Sequence, residues 1–163
     1  MKFLYLTFIL IFCCYNLNAA THTVTNGNDS GAGSLRQTVL DANSGDTIIF
    51  APNVDVVSLT SEQITINKNL TINGKSKEEK TAISGNNWTR IFRVEGSEIK
   101  FRINNLIIEK GWYSGRSGGI DIGGQNNKII AINCSFYKNQ DEGAGGAVCI
   151  TEKKRIYCHQ LQF

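Results

Sequence analysis

The sequence predicts an all-β chain, a right-handed, single-stranded parallel β-helix (a solenoid of short strands) with an N-terminal amphipathic cap helix. Three observations predict it. Sixteen Gly stand against one Pro, and Asn, Ser and Thr separate short Ile/Val/Leu runs, a pattern of many turns and brief strands. In the second half a strand pattern recurs at an offset of 28 residues, as stacked coils require. Helical periodicity is confined to one short stretch, residues 34–43.

Residues 1–20 read as a secretory signal peptide: Met1-Lys2, the apolar run Phe3 to Cys14, a polar break at Tyr15 to Asn18, then Ala19-Ala20. The run is too short to span a membrane. Cleavage after Ala20 or after Ala19 leaves a mature chain starting near Thr21, secreted or held at the cell surface, with no transmembrane span. A lipoprotein signal needs a small residue before the acylated Cys, and Phe12 precedes Cys13. Loss of the leader removes Cys13 and Cys14 and leaves Cys134, Cys149 and Cys158, an odd number. Cys134 reads as a small buried apolar residue. No C-x-x-C pair accompanies the cysteines, and neither His22 nor His159 stands at metal spacing, so no zinc site or other cofactor is read. The net charge of +3 comes from 17 basic and 14 acidic residues mixed along the chain, which leaves no footprint for nucleic acid.

Residues 21–50 form the cap: a strand, the helix 34–43, and the first strand of the solenoid. Ser34 can cap the helix and Gln37 can return the hydrogen bond. Leu35, Val39 and Ala42 make one apolar stripe, and Asn43 to Gly45 let the helix stop. Laid over the first strand, this helix hides apolar side chains and open backbone edges. Arg36 is expected to pair with a nearby carboxylate or to reach carbonyls of the first coil, seating the cap. Ile48-Ile49-Phe50 is a buried strand.

Residues 51–150 are read as coils. Strands fall at Val56 to Leu59, Ile64 to Ile66, Leu70 to Ile72, around Ile83, at Ile91 to Val94, and at Ile99 to Ile103, where alternation sends Ile99, Phe101 and Ile103 to one face. Gly74 to Lys80 is a charged, solvated loop. The 28-residue offset stacks Leu106 on Cys134, Ile108 on Phe136, Ile120 on Val148 and Ile122 on Ile150, so that each coil buries its inward face against its neighbours. Asn69, Asn105 and Asn133 open similar four-residue segments and are assigned to coil corners, in the left-handed region or bonded to the Asn of the next coil. A wound α/β sheet would need crossover helices of about a dozen residues, and none are written here. Residues 151–163 lack the next Gly-rich turn and read as an irregular or truncated tail, with further coils or an anchor missing downstream.

The stretch NDSGAGSLRQTVLDANSGDTIIF, followed by LTSEQITINKNLTINGK, ISGNN, NNLIIEKG and GGAVCI, resembles the N-terminal part of secreted right-handed parallel β-helix proteins. These are the pectin-lyase-like bacterial surface proteins of CSLREA or polymorphic-outer-membrane type. The resemblance covers Thr23 to Ile150, and SGAGSLR is its most specific part. It implies a long exported solenoid, displayed or released outside the cell, that serves adhesion or binding, with a C-terminal anchor.

No catalytic residues are assigned. The rival reading is a polysaccharide lyase or glycoside hydrolase of the pectin-lyase-like class, which would need clustered carboxylates on one face. Asp121 faces outward alone, with Cys149 one coil on, and Glu109 and Glu142 show no repeated spacing. Gly118 to Gly124, GGIDIGG, reads as turns around one strand rather than a calcium repeat. The expected binding element is the loop carrying Trp112, Tyr113 and Arg116, with an extracellular glycan or cell-surface protein as partner. Four N-x-S/T sites, at Asn28, Asn69, Asn87 and Asn133, matter only in a glycosylating pathway.

Overall fold

The computed structural model describes residues 19–143, 146–150 and 155–159. The reading of residues 1–18, with Cys13 and Cys14, lies outside the described residues, as does the side chain of Cys158.

The chain enters through β1 (Thr21–Val24) and α1 (Leu35–Asp41), then winds into coils. The first coil is β2 (Thr47–Phe50), β3 (Val56–Ser58) and β4 (Ile64–Ile66). The second is β5 (Leu70–Asn73), β6 (Thr81–Ser84) and β7 (Phe92–Val94). The third is β8 (Lys100–Asn104), β9 (Leu106–Glu109), the short β10 (Trp112–Tyr113) and β11 (Ile120–Ile122). The fourth is β12 (Lys128–Ile132), β13 (Ser135–Tyr137), the short β14 (Gln140–Asp141) and β15 (Val148–Ile150), followed by β16 (Arg155–His159). Successive coils pair in parallel on three faces. The first face runs β1-β2-β5-β8-β12-β16, the second β3-β6-β9-β13 and the third β4-β7-β11-β15, with β10 and β14 paired beside them. The expected β-solenoid is therefore the fold.

Alternation in each strand sends every second side chain inward, and the register sets like on like. Ile48, Ile72, Ile103 and Ala131 form a column behind the first face. Val57, Ile83, Ile108 and Phe136 do so behind the second, and Ile64, Phe92 and Ile120 behind the third. These side chains are buried in one continuous core, in which Phe92 meets Phe101 edge-on with ring centroids 5.3 Å apart. Each Val, Ile or Phe among them contributes about 1.5–3 kcal/mol by burial.

The 28-residue repeat is also written in the backbone. Asn105 and Asn133, Lys110 and Lys138, and Glu98 and Asn126 all hold positive φ, between 51° and 60°. Asn133 Nδ2 donates to Asn105 Oδ1 at 2.8 Å, so both expected corner roles are met at once. Asn69 does not belong to this ladder. It precedes a first-face strand whose Leu70 and Ile72 lie opposite Phe101 and Ile103, and its Oδ1 accepts from the Lys100 N–H at 2.8 Å. The first-face register, Asn73 opposite Asn104, puts Gly74 next to Asn105 in the coil below, where a Cβ would stand 2.0 Å from the Asn105 carbonyl oxygen.

The helix is shorter than the 34–43 expected. Ser34 is its N-cap and accepts from the Gln37 N–H at 3.2 Å, while Ala42 turns extended at its end. The capping box is only half made: the Gln37 side chain donates to Asp41 Oδ1, and the Ser34 N–H is taken by the Gly31 carbonyl. Leu35, Val39 and Ala42 are buried as the stripe requires, and Gly45 turns the chain at φ 99°. Lys68 Nζ reaches the carbonyls of Val39, Leu40 and Ala42, a cation where the C-terminal end of a helix favours one.

The tail differs from the expectation as well. Within 151–163, Arg155–His159 add a parallel strand to β12, with Lys128 opposite Arg155 and Ile132 opposite His159. Alternation in R-I-Y-C-H was legible, but the missing Gly-rich turn before it hid the strand.

Candidate functional site

The outward row of the third face reads Thr65, Arg93, Asp121 and Cys149, each opposite the next. Pairing places the Arg93 guanidinium directly on Asp121 Oδ2. Arg90, just before β7, brings Nη2 to 3.4 Å from the same oxygen, and Arg116 Nη2 lies at 3.5 Å. Three guanidiniums thus converge on one carboxylate whose residue is 0% exposed. Asp121 Oδ1, also buried, has no hydrogen-bond partner among the described residues.

Arg90 is fixed from every side. Its Nε donates to the Ser117 carbonyl at 2.9 Å, Nη2 to the Arg116 carbonyl at 2.6 Å and Nη1 to Gln63 Oε1 at 2.8 Å. Its guanidinium carbon sits 3.6 Å from the centre of the Tyr113 ring, a cation–π contact. Burial pulls its pKa below the usual arginine value, and the Asp121 charge opposes that shift. At the rim, Glu95 accepts from Arg93 Nε at 3.2 Å.

These residues enclose a cavity of about 350 Å³ on the flank, lined by Gln63, Arg90, Arg93, Glu95, Tyr113, Arg116 and Asp121, with Gly115 at the edge. Three cations face two carboxylates, so the lining carries excess positive charge. Guanidinium N–H groups and an aromatic face can hold a ligand with hydroxyls or an anionic group. Three arginines crowd the same oxygen of Asp121, so its charge is balanced within the cluster.

Of the residues singled out in the sequence, Tyr113 and Arg116 line this cavity. Trp112 does not: it sits beside them on β10, 36% exposed, opposite Gln140. A further tryptophan, Trp88, stands 68% exposed on the turn one coil earlier, where the Asn87 N–H donates to the Lys110 carbonyl. Sequence reasoning passed over Gln63, Arg90, Arg93 and Glu95 and set Asp121 aside as a lone carboxylate. The signal was available, because Arg93 lies 28 residues before Asp121, the same offset already read higher in the solenoid.

The other candidates are structural. A Cβ on Gly119 would stand 2.2 Å from the Ala147 carbonyl oxygen, so close coil stacking demands glycine there. Glu109 pairs with Lys110 at 3.4 Å, and Glu142 is exposed. Cys134 is fully buried with its thiol toward the Ile132 and Ile103 carbonyls, and Cys149 is buried on the outer row. Asn133 is 8% exposed, its amide bonded to Asn105, a poor acceptor for a glycan. Among the described residues, no group of three or more His, Cys, Asp or Glu is placed to hold a metal ion.

Arg36 does what its place in the cap motif suggested. Nη2 pairs with Asp29 Oδ1 at 2.7 Å and reaches the Glu62 carbonyl, while Nη1 donates to the Gln63 carbonyl at 2.9 Å. Gln63 therefore joins the cap to the cavity through its backbone on one side and its side chain on the other.

Fold and site together define a parallel β-solenoid with an arginine-lined cavity on one flank. No family model, no curated protein and no solved structure matches this chain.

Proposed function

We propose that this is an exported parallel β-helix of the pectin-lyase-like, CSLREA-type surface class, wound right-handed as parallel crossovers nearly always are, and that its flank binds an extracellular glycan without transforming it. The leader-like layout of residues 1–20 supports export. The observation that carries the binding reading is the Tyr113 ring backed by Arg90 at 3.6 Å, at the mouth of a cavity with Arg93 and Arg116 in its wall. A sugar ring stacks on an aromatic face, and fixed guanidiniums take its oxygens without paying for their own ordering. The excess of cations favours acidic sugars over neutral ones.

Calorimetric titration with neutral and acidic oligosaccharides tests this reading. Acidic members should bind, and Tyr113→Ala combined with Arg116→Ala should weaken binding at least about ten-fold while the fold is kept. Unchanged affinity in that variant would remove the cavity from consideration and leave a cell-surface protein as the partner to seek. Degradation of polyuronate in calcium by the purified chain would replace the binding reading with the lyase or hydrolase alternative.

A further inference from the structure

The end of the leader offers two bonds for cleavage, Ala19-Ala20 and Ala20-Thr21, and the sequence does not choose between them. The structure treats the two differently. Ala20 is the first rung of the solenoid: its carbonyl accepts from the Thr47 N–H at 2.8 Å, just ahead of the β1–β2 pairs that begin at Thr21 and Thr47. Its nitrogen donates to Asp46 Oδ1 at 2.8 Å. Ala19 and Ala20 are themselves exposed, so the bond between them lies at the surface.

Asp46 is the unusual partner. Its side chain is 4% exposed, and Oδ2 takes the Asn43 N–H at 2.8 Å and His22 Nε2 at 2.7 Å. A carboxylate this enclosed is costly unless a cation meets it. In the uncleaved chain, two backbone amides and the His22 imidazole meet it through hydrogen bonds. His22 is the titratable group in contact with it.

We propose that the mature chain begins at Ala20 and that its new α-ammonium group pairs with Asp46, locking the first strand onto the solenoid. Hydrolysis of the Ala19-Ala20 bond consumes one water: its oxygen leaves with the leader in the Ala19 carboxylate, and both of its hydrogens end on the Ala20 nitrogen, which becomes an ammonium group. The 2.8 Å amide contact then becomes a charge-assisted one, roughly twice as strong. Cleavage one residue later would discard both the Asp46 contact and the Ala20 rung. Hydrogen bonds from His22 and from the Asn43 and Ala20 amides already hold the Asp46 carboxyl down to about 2, so it is ionised wherever an α-amino group is charged.

This inference rests on the export reading, and the test separates the two. The chain carrying its own leader is expressed in a secreting host, and the exported product is sequenced from its N-terminus. A start at Ala20 is expected. A start at Thr21 overturns the inference and leaves export standing; a product that retains Met1 overturns both. The lock has its own readout. Chain beginning at Ala20 should lose about 2–4 °C in unfolding midpoint when that amine is acetylated, and the loss should vanish in Asp46→Asn. Equal midpoints for the free and acetylated forms of the native sequence would overturn the lock.

Discussion

At the cap, Arg36 and Asp29 meet one to one; on the flank, Arg90, Arg93 and Arg116 share Asp121. Asp29 has both oxygens occupied, Oδ1 by Arg36 and Oδ2 by Ser61 and Thr60, and Arg36 spends its remaining donors on the carbonyls of Asp29, Glu62 and Gln63. Asp121 has one crowded oxygen and one without a partner among the described residues, and the Arg116 side chain is 39% exposed beside open volume. A saturated pair seats one element on another. An overcharged cluster with donors left toward solvent has the capacity to take up a ligand, which is the reading proposed for the flank.

The sharpest way to break the comparison is Asp121→Ala. It leaves three cations around a site that is buried at Arg90, and should cost about 3–5 kcal/mol, read as a lower denaturant midpoint. Arg36→Ala comes next. It removes several charge-assisted hydrogen bonds that hold α1, at about 1.5–3 kcal/mol, and should leave ligand affinity as it was.

Acid should loosen the cap end. Burial acts to raise the Asp29 carboxyl, but hydrogen bonds from Arg36 and Ser61 outweigh it and hold the carboxyl below its usual value; Asp46 is held down to about 2. Both folded values are depressed, so their contribution is complete above the usual value of 3.8 and is lost as pH falls from there toward about 2. Midpoints measured from pH 5 to pH 2 should drop for the native chain, and more gently for Asp46→Asn. The smallest effect is expected from Tyr113→Phe, which keeps the ring against Arg90 and should change stability by less than about 0.5 kcal/mol.

The solenoid was legible because its physics is local and periodic. The 28-residue offset fixed Ile108 on Phe136 and Ile120 on Val148, and both pairs stand opposite in the structure. The cap stripe and the role of Arg36 were legible for the same reason. Asn69 stands at a different corner, just ahead of β5, and its coil departs from the repeat: Asn73 and Asn104 are 31 residues apart, and a four-letter pattern does not reveal which face it lies on. Only Tyr113 and Arg116 of the cavity lining could be read, since they lie in one loop. Arg90 and Gln63 could not, because they come from two lower coils and are joined only by side chains reaching across corners. Arg93 lay within reach of the offset and needed only to be carried one coil further back.

The most direct test of the account crosses the two clusters. Arg36→Ala and Arg116→Ala are compared for unfolding midpoint and for affinity toward an acidic oligosaccharide. The account predicts opposite losses: Arg36→Ala lowers the midpoint and keeps affinity, whereas Arg116→Ala keeps the midpoint and loses affinity. If Arg116→Ala instead destabilises the fold as much as Arg36→Ala and leaves binding untouched, the flank cluster is a structural clamp like the cap, and the binding reading is wrong.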